Sequence, residues 1–107
     1  MLEPLLGSTS AERVLIFILA RNEGYAREIA RFYKTDLTPI QKQLERLERG
    51  SNLVSLKVGR TRLYEFNPRY AFIKELRNLL QKTITFYSRE DRERLLMVRI
   101  LPEEKDR

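Results

Sequence analysis

Apolar residues recur at helical spacing in the middle of the chain. Ile40, Leu44 and Leu47 stand at i, i+4 and i+7, so they share one face of a helix. Two polar residues fit a helix N-terminus at this point: Thr38 suits the N-cap, and Gln41, three residues later, completes a capping box. The pattern therefore predicts a helix that begins after Thr38 and buries one stripe of side chains.

The residues that follow alternate between apolar and polar, as in a half-buried β-strand. The alternation covers residues 54 to 58, breaks at Gly59-Arg60 and returns through residues 61 to 66. A two-residue turn at this position would pair Lys57 with Arg62 across the two strands. The pattern predicts a β-hairpin with a cationic tip, in which two directly opposed cations repel each other.

A broad apolar stripe at helical spacing follows Pro68 and predicts a long helix. Its members are Phe72, Ile73, Leu76, Leu79, Leu80, Ile84, Phe86 and Tyr87. A later group of apolar residues, from Leu95 to Leu101, fits either a further helix or an arm across a partner, and Pro102 ends it. We expect the charged residues beyond Pro102 to form a loose tail.

In this order, the elements resemble the winged helix-turn-helix of small bacterial and archaeal transcriptional regulators. Residues 7–15 resemble the opening helix of that family, and residues 25–31, with the wording Tyr-Ala-Arg-Glu-Ile-Ala-Arg, resemble its second helix. The Leu-x-x-Leu-Glu of residues 44–48 and the Tyr-x-Phe-Asn-Pro of residues 64–68 flank the basic hairpin as in the family. The resemblance covers residues 7–82 and is to the ArsR-like or MarR-like branch.

The resemblance implies an α+β fold that is mostly α-helical, with a three-helix core, a β-hairpin wing and a C-terminal helical extension. Residues 1–69 would form the winged helix-turn-helix DNA-binding domain. Residues 70–107 would form the extension, which is expected to mediate dimerisation. Because 107 residues suffice for one modest core, we interpret the extension as part of the same domain.

The chain contains neither cysteine nor histidine, which removes most enzymatic and metal-binding chemistry. The usual nucleophile and base pairs are missing, as are the preferred ligands of zinc and copper. The densest carboxylate cluster, Glu103, Glu104 and Asp106, lies in the predicted tail. We therefore predict no catalysis, no cofactor and no metal site, including the thiolate sites of metal-sensing ArsR proteins.

The sequence has no segment suited to a membrane or to export. Its longest apolar run, Val14 to Ala20, has seven residues, and the N-terminus lacks the basic region of a signal peptide. These features predict a cytoplasmic protein without membrane contacts.

Positive charge is concentrated in the middle of the chain. The net charge is +6, and residues 25 to 69 hold ten cations and five anions. This segment contains the predicted second helix, recognition helix and wing, so its positive field would face a polyanion. A basic surface can also be an ordinary solvated face, and the family resemblance favours double-stranded DNA over that alternative.

Helical geometry and the position of the wing select the residues that would contact DNA. The predicted DNA-binding residues are Lys34, Thr35, Thr38, Gln41, Lys42, Glu45, Arg46, Lys57, Arg60, Arg62 and Tyr64. Those between Gln41 and Arg46 are candidates for base edges, whereas those near the turn and in the wing are placed for phosphates.

Several of these residues have ordinary structural alternatives. Gln41 is equally suited to closing the capping box, and Glu45 could instead pair with Arg49 at i, i+4. Tyr64 could pack in the core or reach a phosphate through its hydroxyl, whereas Phe66 is expected in the core.

The C-terminal stripe is wider than one small domain needs, which favours a second copy as its partner. The predicted dimer-interface residues are Phe72, Leu76, Leu79, Leu80, Thr83, Phe86 and Tyr87. A monomer that absorbs the whole stripe is the alternative. A homodimer would require a pseudo-palindromic operator.

The sequence thus predicts a sequence-specific, double-stranded DNA-binding transcriptional regulator that acts as a homodimer on an operator. Two other classes stay open. The first is a winged-helix adaptor that binds a protein, such as a nucleotidyltransferase-type partner, without specific DNA binding. The second is an enzyme that uses tyrosine or lysine in a groove between the dimer helices.

Overall fold

The structure, a computed structural model, describes residues 1 to 96. Its elements are α1 (Glu3–Leu6), α2 (Thr9–Arg21), β1 (Gly24–Tyr25), α3 (Ala26–Tyr33), α4 (Leu37–Arg49), β2 (Leu53–Val58), β3 (Thr61–Phe66), α5 (Ile73–Thr85) and α6, which is helical from residue 89 to residue 96. The predictions for the arm up to Pro102 and for the tail with Glu103, Glu104 and Asp106 lie outside the described residues.

Helix α2 forms the centre of the core. The Ser8 Oγ caps it by accepting a hydrogen bond from the Ala11 N–H at 2.9 Å. Residues 14 to 19 are all buried, because α3, α4, α5 and β3 pack around this helix. The apolar run from Val14 to Ala20 is therefore explained, because it lies in a helix that other elements cover on every side.

Helices α3 and α4 form the helix-turn-helix. Helix α3 ends where Lys34 takes a left-handed backbone conformation with φ of 55°. Helix α4 begins at Leu37, after Asp36 as its N-cap. The prediction of an N-cap at Thr38 with a capping box to Gln41 is therefore wrong.

The earlier start of α4 has a physical reason in the core. Leu37 packs against the hydrophobic cluster, which brings it into the first helical turn. Pro39 is tolerated two residues later, because the N–H groups of a first turn have no acceptor within the helix. The buried face is as predicted, and it consists of Ile40, Leu44 and Leu47.

Strands β2 and β3 form the wing, and the predicted register of this hairpin is confirmed. Val58 pairs with Thr61 around the two-residue turn, and Lys57 pairs with Arg62. Gly59 takes a positive φ of 63° in the turn, a conformation that glycine adopts without strain.

Strand β1 extends the hairpin to a three-stranded antiparallel sheet with the order β1-β3-β2. Its two residues are too few to show alternation, so the sequence did not predict it. Gly24 pairs with Tyr64 at a point where the backbone passes close to the core. A Cβ on Gly24 would lie 2.9 Å from Cε1 of the buried Phe17 ring, which explains the glycine.

Helices α5 and α6 complete the same core. Leu80 of α5 and Leu95 of α6 belong to the hydrophobic cluster around α2. The Arg94 guanidinium ties α6 to α3 by donating a hydrogen bond to the Phe32 carbonyl at 2.7 Å. The predicted fold class is confirmed: a mostly helical α+β fold with a three-helix core, a wing and a C-terminal helical extension.

Candidate nucleic-acid interface

Helix α4, the first turn of α3 and the wing line an open groove of about 290 Å³. Five predicted DNA-binding residues line this groove: Gln41, Glu45, Arg60, Arg62 and Tyr64. The fold thus brings two basic side chains of the wing, Arg60 and Arg62, to the same groove as Gln41 and Glu45 of α4. This arrangement offers both charge for a phosphate and hydrogen-bonding groups for a base edge.

Two other predicted residues of α4 lie beside the groove. Thr38 and Lys42 are both exposed. Within residues 1 to 96, no protein group forms an ion pair with Lys42, so its ammonium is open to a ligand. The same part of the chain contains no ion pair between Glu45 and Arg49, the alternative suggested by their spacing.

Arg46 points away from the groove. Its Nε donates a hydrogen bond to Gln43 Oε1 at 2.8 Å, and its guanidinium donates another to the Leu6 carbonyl at 3.0 Å. The predicted role of Arg46 at a base edge therefore finds no geometric support. The sequence could not indicate this contact, because α1 and α4 meet only in the folded chain.

Lys34 and Thr35 lie in the turn between α3 and α4. The Lys34 side chain is exposed, whereas Thr35 is half-buried and its backbone N–H donates to the Ala30 carbonyl at 3.0 Å. Neither residue lines the groove, and their assignment to phosphates stays a prediction.

A short chain of hydrogen bonds connects the wing to α4. The Arg62 guanidinium donates to Ser55 Oγ at 3.1 Å, and the Ser55 hydroxyl donates to Glu48 Oε2 at 2.7 Å. Lys57 stands directly opposite Arg62. The arrangement fixes the wing relative to α4 and leaves Lys57 and Arg60 exposed.

Tyr64 belongs to the core and also lines the groove. The residue is only 7% exposed. Burial raises the pKa of the Tyr64 hydroxyl, with a smaller contribution from the carboxylates of Glu48 and Glu45. Of the two alternatives for Tyr64, the structure shows packing of its ring in the core, and the residue also forms part of the groove wall.

Arg27 and Thr61 also line the groove, and sequence reasoning missed both. Arg27 is exposed in the first turn of α3. Arg27 could have been predicted from the sequence, since it belongs to the motif of residues 25–31 that resembles the second helix of the regulator family. Thr61 gave no signal beyond its place at the turn of the wing.

The predicted dimer residues divide into buried and exposed sets. Leu80 and Thr83 are buried within their own chain, and the Thr83 hydroxyl donates to the Leu79 carbonyl at 2.8 Å. Leu76 and Tyr87 pack against the core. These four residues therefore present little surface to a partner.

Three members of the dimer set keep open surface. Phe72 and Phe86 are 62% and 65% exposed, and Leu79 is partly exposed, with most of its surface buried. Phe72 and Phe86 flank α5 as its N-cap and C-cap, and Leu79 lies in its middle. The three residues stand at intervals of seven, so they lie close to one line, which we call the α5 stripe.

A second polar cluster surrounds Glu12, which is 6% exposed. Its Oε1 accepts hydrogen bonds from the Leu2 N–H at 2.6 Å and from the Met1 ammonium at 3.1 Å. Its Oε2 accepts one from the Tyr87 hydroxyl at 2.5 Å. Burial, and then this hydrogen bond, raises the pKa of Tyr87. No sequence pattern indicated this cluster, because its members are far apart in the chain.

Within residues 1 to 96, no three carboxylates gather into a group that could hold a metal ion. No helix in that range is both long and apolar enough to cross a membrane.

The helix-turn-helix with its wing defines the class: the chain has a winged-helix fold. No protein family model and no curated protein matches the sequence. Among solved structures, a mutant of ZitR from Lactococcus lactis in its apo form is similar. The TM-score is 0.54 and the sequence identity 18%, over 92% of this chain and 83% of the ZitR chain. At this identity, the similarity shows the fold alone.

Proposed function

We propose that this protein is a transcriptional regulator that binds double-stranded DNA with α4 and the wing. The groove between them carries the proposal, because it joins Arg60 and Arg62 to Gln41 and Glu45. A winged-helix fold with a net charge of +6 supports the same conclusion. Regulation would be steric, through occupation of an operator.

The side chains around the groove would divide the work of binding. Lys57, Arg60 and Arg62 would neutralise phosphates and so determine affinity for any sequence. Arg62 and Lys57 repel each other across the hairpin, and a phosphate between them would relieve that repulsion. Gln41 and Lys42 would contact base edges and so determine which sequence is preferred.

The α5 stripe supports a homodimer as the form that binds DNA. Two copies of α5 that pack antiparallel about Leu79 would place Phe72 of each copy against Phe86 of the other. The exposed side chains of Glu75 and Lys82 flank the stripe on one side. In this arrangement, Glu75 of one copy lies beside Lys82 of the other, so opposite charges meet. The two DNA-binding halves would then read a pseudo-palindromic site.

The salt dependence of DNA binding tests the role of the wing. We expect Lys57→Ala and Arg60→Ala each to weaken binding to all duplexes and to reduce the slope of log affinity against log salt by roughly 0.9 per lost phosphate contact. Fluorescence anisotropy with a labelled random duplex at several salt concentrations measures this slope.

Lys74→Ala is the matched control, since Lys74 is an exposed cation on α5 away from the groove. Its slope should equal that of the parent protein. Equal slopes for the parent and the wing variants would refute the role of the wing, and salt-independent binding would refute DNA binding as the function.

A further inference from the structure

The wing has an apolar face that the proposed DNA contact does not use. Val54, Leu56 and Val58 are 37%, 62% and 40% exposed. They point to one side of β2, because side chains alternate along a strand. On the same side of β3, Leu63 lies across from Leu56, between the polar residues Thr61 and Glu65. We call Val54, Leu56, Val58 and Leu63 the apolar wing face. Three exposed apolar side chains in one row are unusual for a solvated strand.

The same strand also has an open edge. Strand β2 is the outer strand of the sheet, and within residues 1 to 96 no strand pairs with its outer side. In a hairpin with a two-residue turn, Val58 and Thr61 bond to each other, so the backbone groups of Ser55 and Lys57 point outwards. An open edge beside an apolar face is the arrangement that accepts an additional strand.

The side chains on the two faces define the chemistry of that strand. On the apolar wing face, its side chains would lie beside Leu56 and its neighbours and should be apolar. On the other face they would lie beside Ser55 and Lys57, with Arg62 behind them. Lys57 and Arg62 are the two opposed cations on this face. Within residues 1 to 96, they outnumber the one carboxylate bonded to it, that of Glu48, which accepts a hydrogen bond from Ser55. The face therefore favours acidic side chains beside Lys57, which would relieve the repulsion between Lys57 and Arg62.

A second copy of β2 fits this edge less well. It matches the apolar wing face, but on the other face it would contribute its own Lys57. A third cation would then lie beside Lys57 and Arg62, which increases the repulsion. Charge complementarity therefore favours a strand from a different protein.

We propose that the outer edge of β2 binds an extended segment of another protein in which apolar and acidic residues alternate. This interaction goes beyond DNA binding and would compete with it, because the acidic residues engage Lys57 and Arg62. A partner of this kind would release the regulator from its operator.

A peptide of about eight residues that alternates valine and glutamate serves as the probe. Its binding to the full chain is measured by fluorescence anisotropy. Two control peptides accompany it, one with the same residues in two blocks and one that alternates valine and lysine. We expect the alternating acidic peptide to bind more tightly than either control and to displace labelled duplex DNA.

Variants of the apolar wing face separate this site from the DNA site. Leu56→Ser should weaken peptide binding by about tenfold and leave DNA affinity within about twofold of the parent value. Leu5→Ser is the matched control, since Leu5 is a leucine exposed to 68% outside the wing, and it should change neither. Val58→Ser should repeat the effect of Leu56→Ser, and circular dichroism confirms that each variant is folded.

Three results would overturn the proposal. The first is equal binding of the alternating and block peptides, or no binding of either. The second is full peptide affinity in both Leu56→Ser and Val58→Ser. The third is self-association of the parent chain that Leu56→Ser abolishes, which would assign the edge to a second copy. If the parent chain does not bind DNA, the proposed function is refuted. The peptide-binding measurements still decide whether the edge of β2 binds an extended segment.

Discussion

Glu12 keeps a carboxylate almost out of contact with solvent, and both of its oxygens accept hydrogen bonds. A buried carboxylate is destabilising unless donors replace the water that it loses. The donors come from Leu2 near the start of the chain and from Tyr87 just after α5. One side chain of α2 therefore joins two distant segments to the core.

Removal of the Tyr87 hydroxyl should destabilise the fold. Tyr87→Phe takes one donor from the buried Glu12 carboxylate, so we expect the free energy of unfolding to fall by about 1–3 kcal/mol at neutral pH. Chemical denaturation measures the change. Tyr70→Phe is the matched control, because no protein group within residues 1 to 96 bonds to the Tyr70 hydroxyl.

The stability of the parent protein and that of Tyr87→Phe should depend differently on pH. The pKa of Tyr87 is raised above its usual value of 10.0 by burial and by the hydrogen bond to Glu12. The folded chain thus holds this proton more tightly than the unfolded chain, so the stabilisation is complete below pH 10 and is lost as the pH rises through the raised pKa. Denaturation curves above pH 10 should converge for the parent and Tyr87→Phe, and a constant difference would contradict this assignment.

Lys42 is the residue whose change should alter sequence preference. Lys42 is exposed, and no group within residues 1 to 96 forms an ion pair with its ammonium. We therefore expect Lys42→Ala to relax the preference at one or two base pairs, by about 1–3 kcal/mol of discrimination. Selection of bound duplexes from a random pool, with Lys74→Ala as the control, measures the preference. An unchanged selected motif would exclude Lys42 from base contact.

Among the elements, the wing was predictable in detail and the start of α4 was not. Gly59 and Arg60 fix a two-residue turn, and the turn alone determines which residues pair. The start of α4 depended instead on the packing of Leu37 against the core. Local patterns therefore predict a boundary well only where no tertiary contact competes with them.

Strand β1 depends on the absence of a side chain at Gly24. In Gly24→Ala, the new Cβ would lie 2.9 Å from the fully buried ring of Phe17 and 3.2 Å from Ile29. We expect a loss of about 1–3 kcal/mol in the free energy of unfolding. A double-mutant cycle with Phe17→Leu tests the clash. The double variant should lose less unfolding free energy than the sum of the losses in the two single variants, and additive losses would refute the clash.

At the scale of the whole molecule, the sequence predicted the fold and the region of the site better than the contacts within it. The second helix, the recognition helix and the wing followed from periodicity and resemblance. The hydrogen bonds from Arg46 to Leu6 and from Ser55 to Glu48 did not, because they join elements whose approach is decided by the core. The burial of Leu80 likewise depends on how α5 packs onto α2.

The α5 stripe yields a prediction for the assembly. Leu79→Glu would place two carboxylates face to face at the proposed two-fold axis, so dimerisation should weaken by about a hundredfold or more. Analytical ultracentrifugation measures the change, and Leu5→Glu is the matched control because Leu5 is an exposed leucine outside the stripe. A parent chain that stays monomeric at high micromolar concentration would refute the dimer.

The strict alternation of the wing limits how its length can change. One residue added within β2 or β3 would exchange the two faces beyond that point and move Lys57 or Arg62 to the side of Leu56. Two residues added to each strand would lengthen the hairpin and keep every charge on its own side. Natural variation in the length of this hairpin should therefore occur in even steps on each strand.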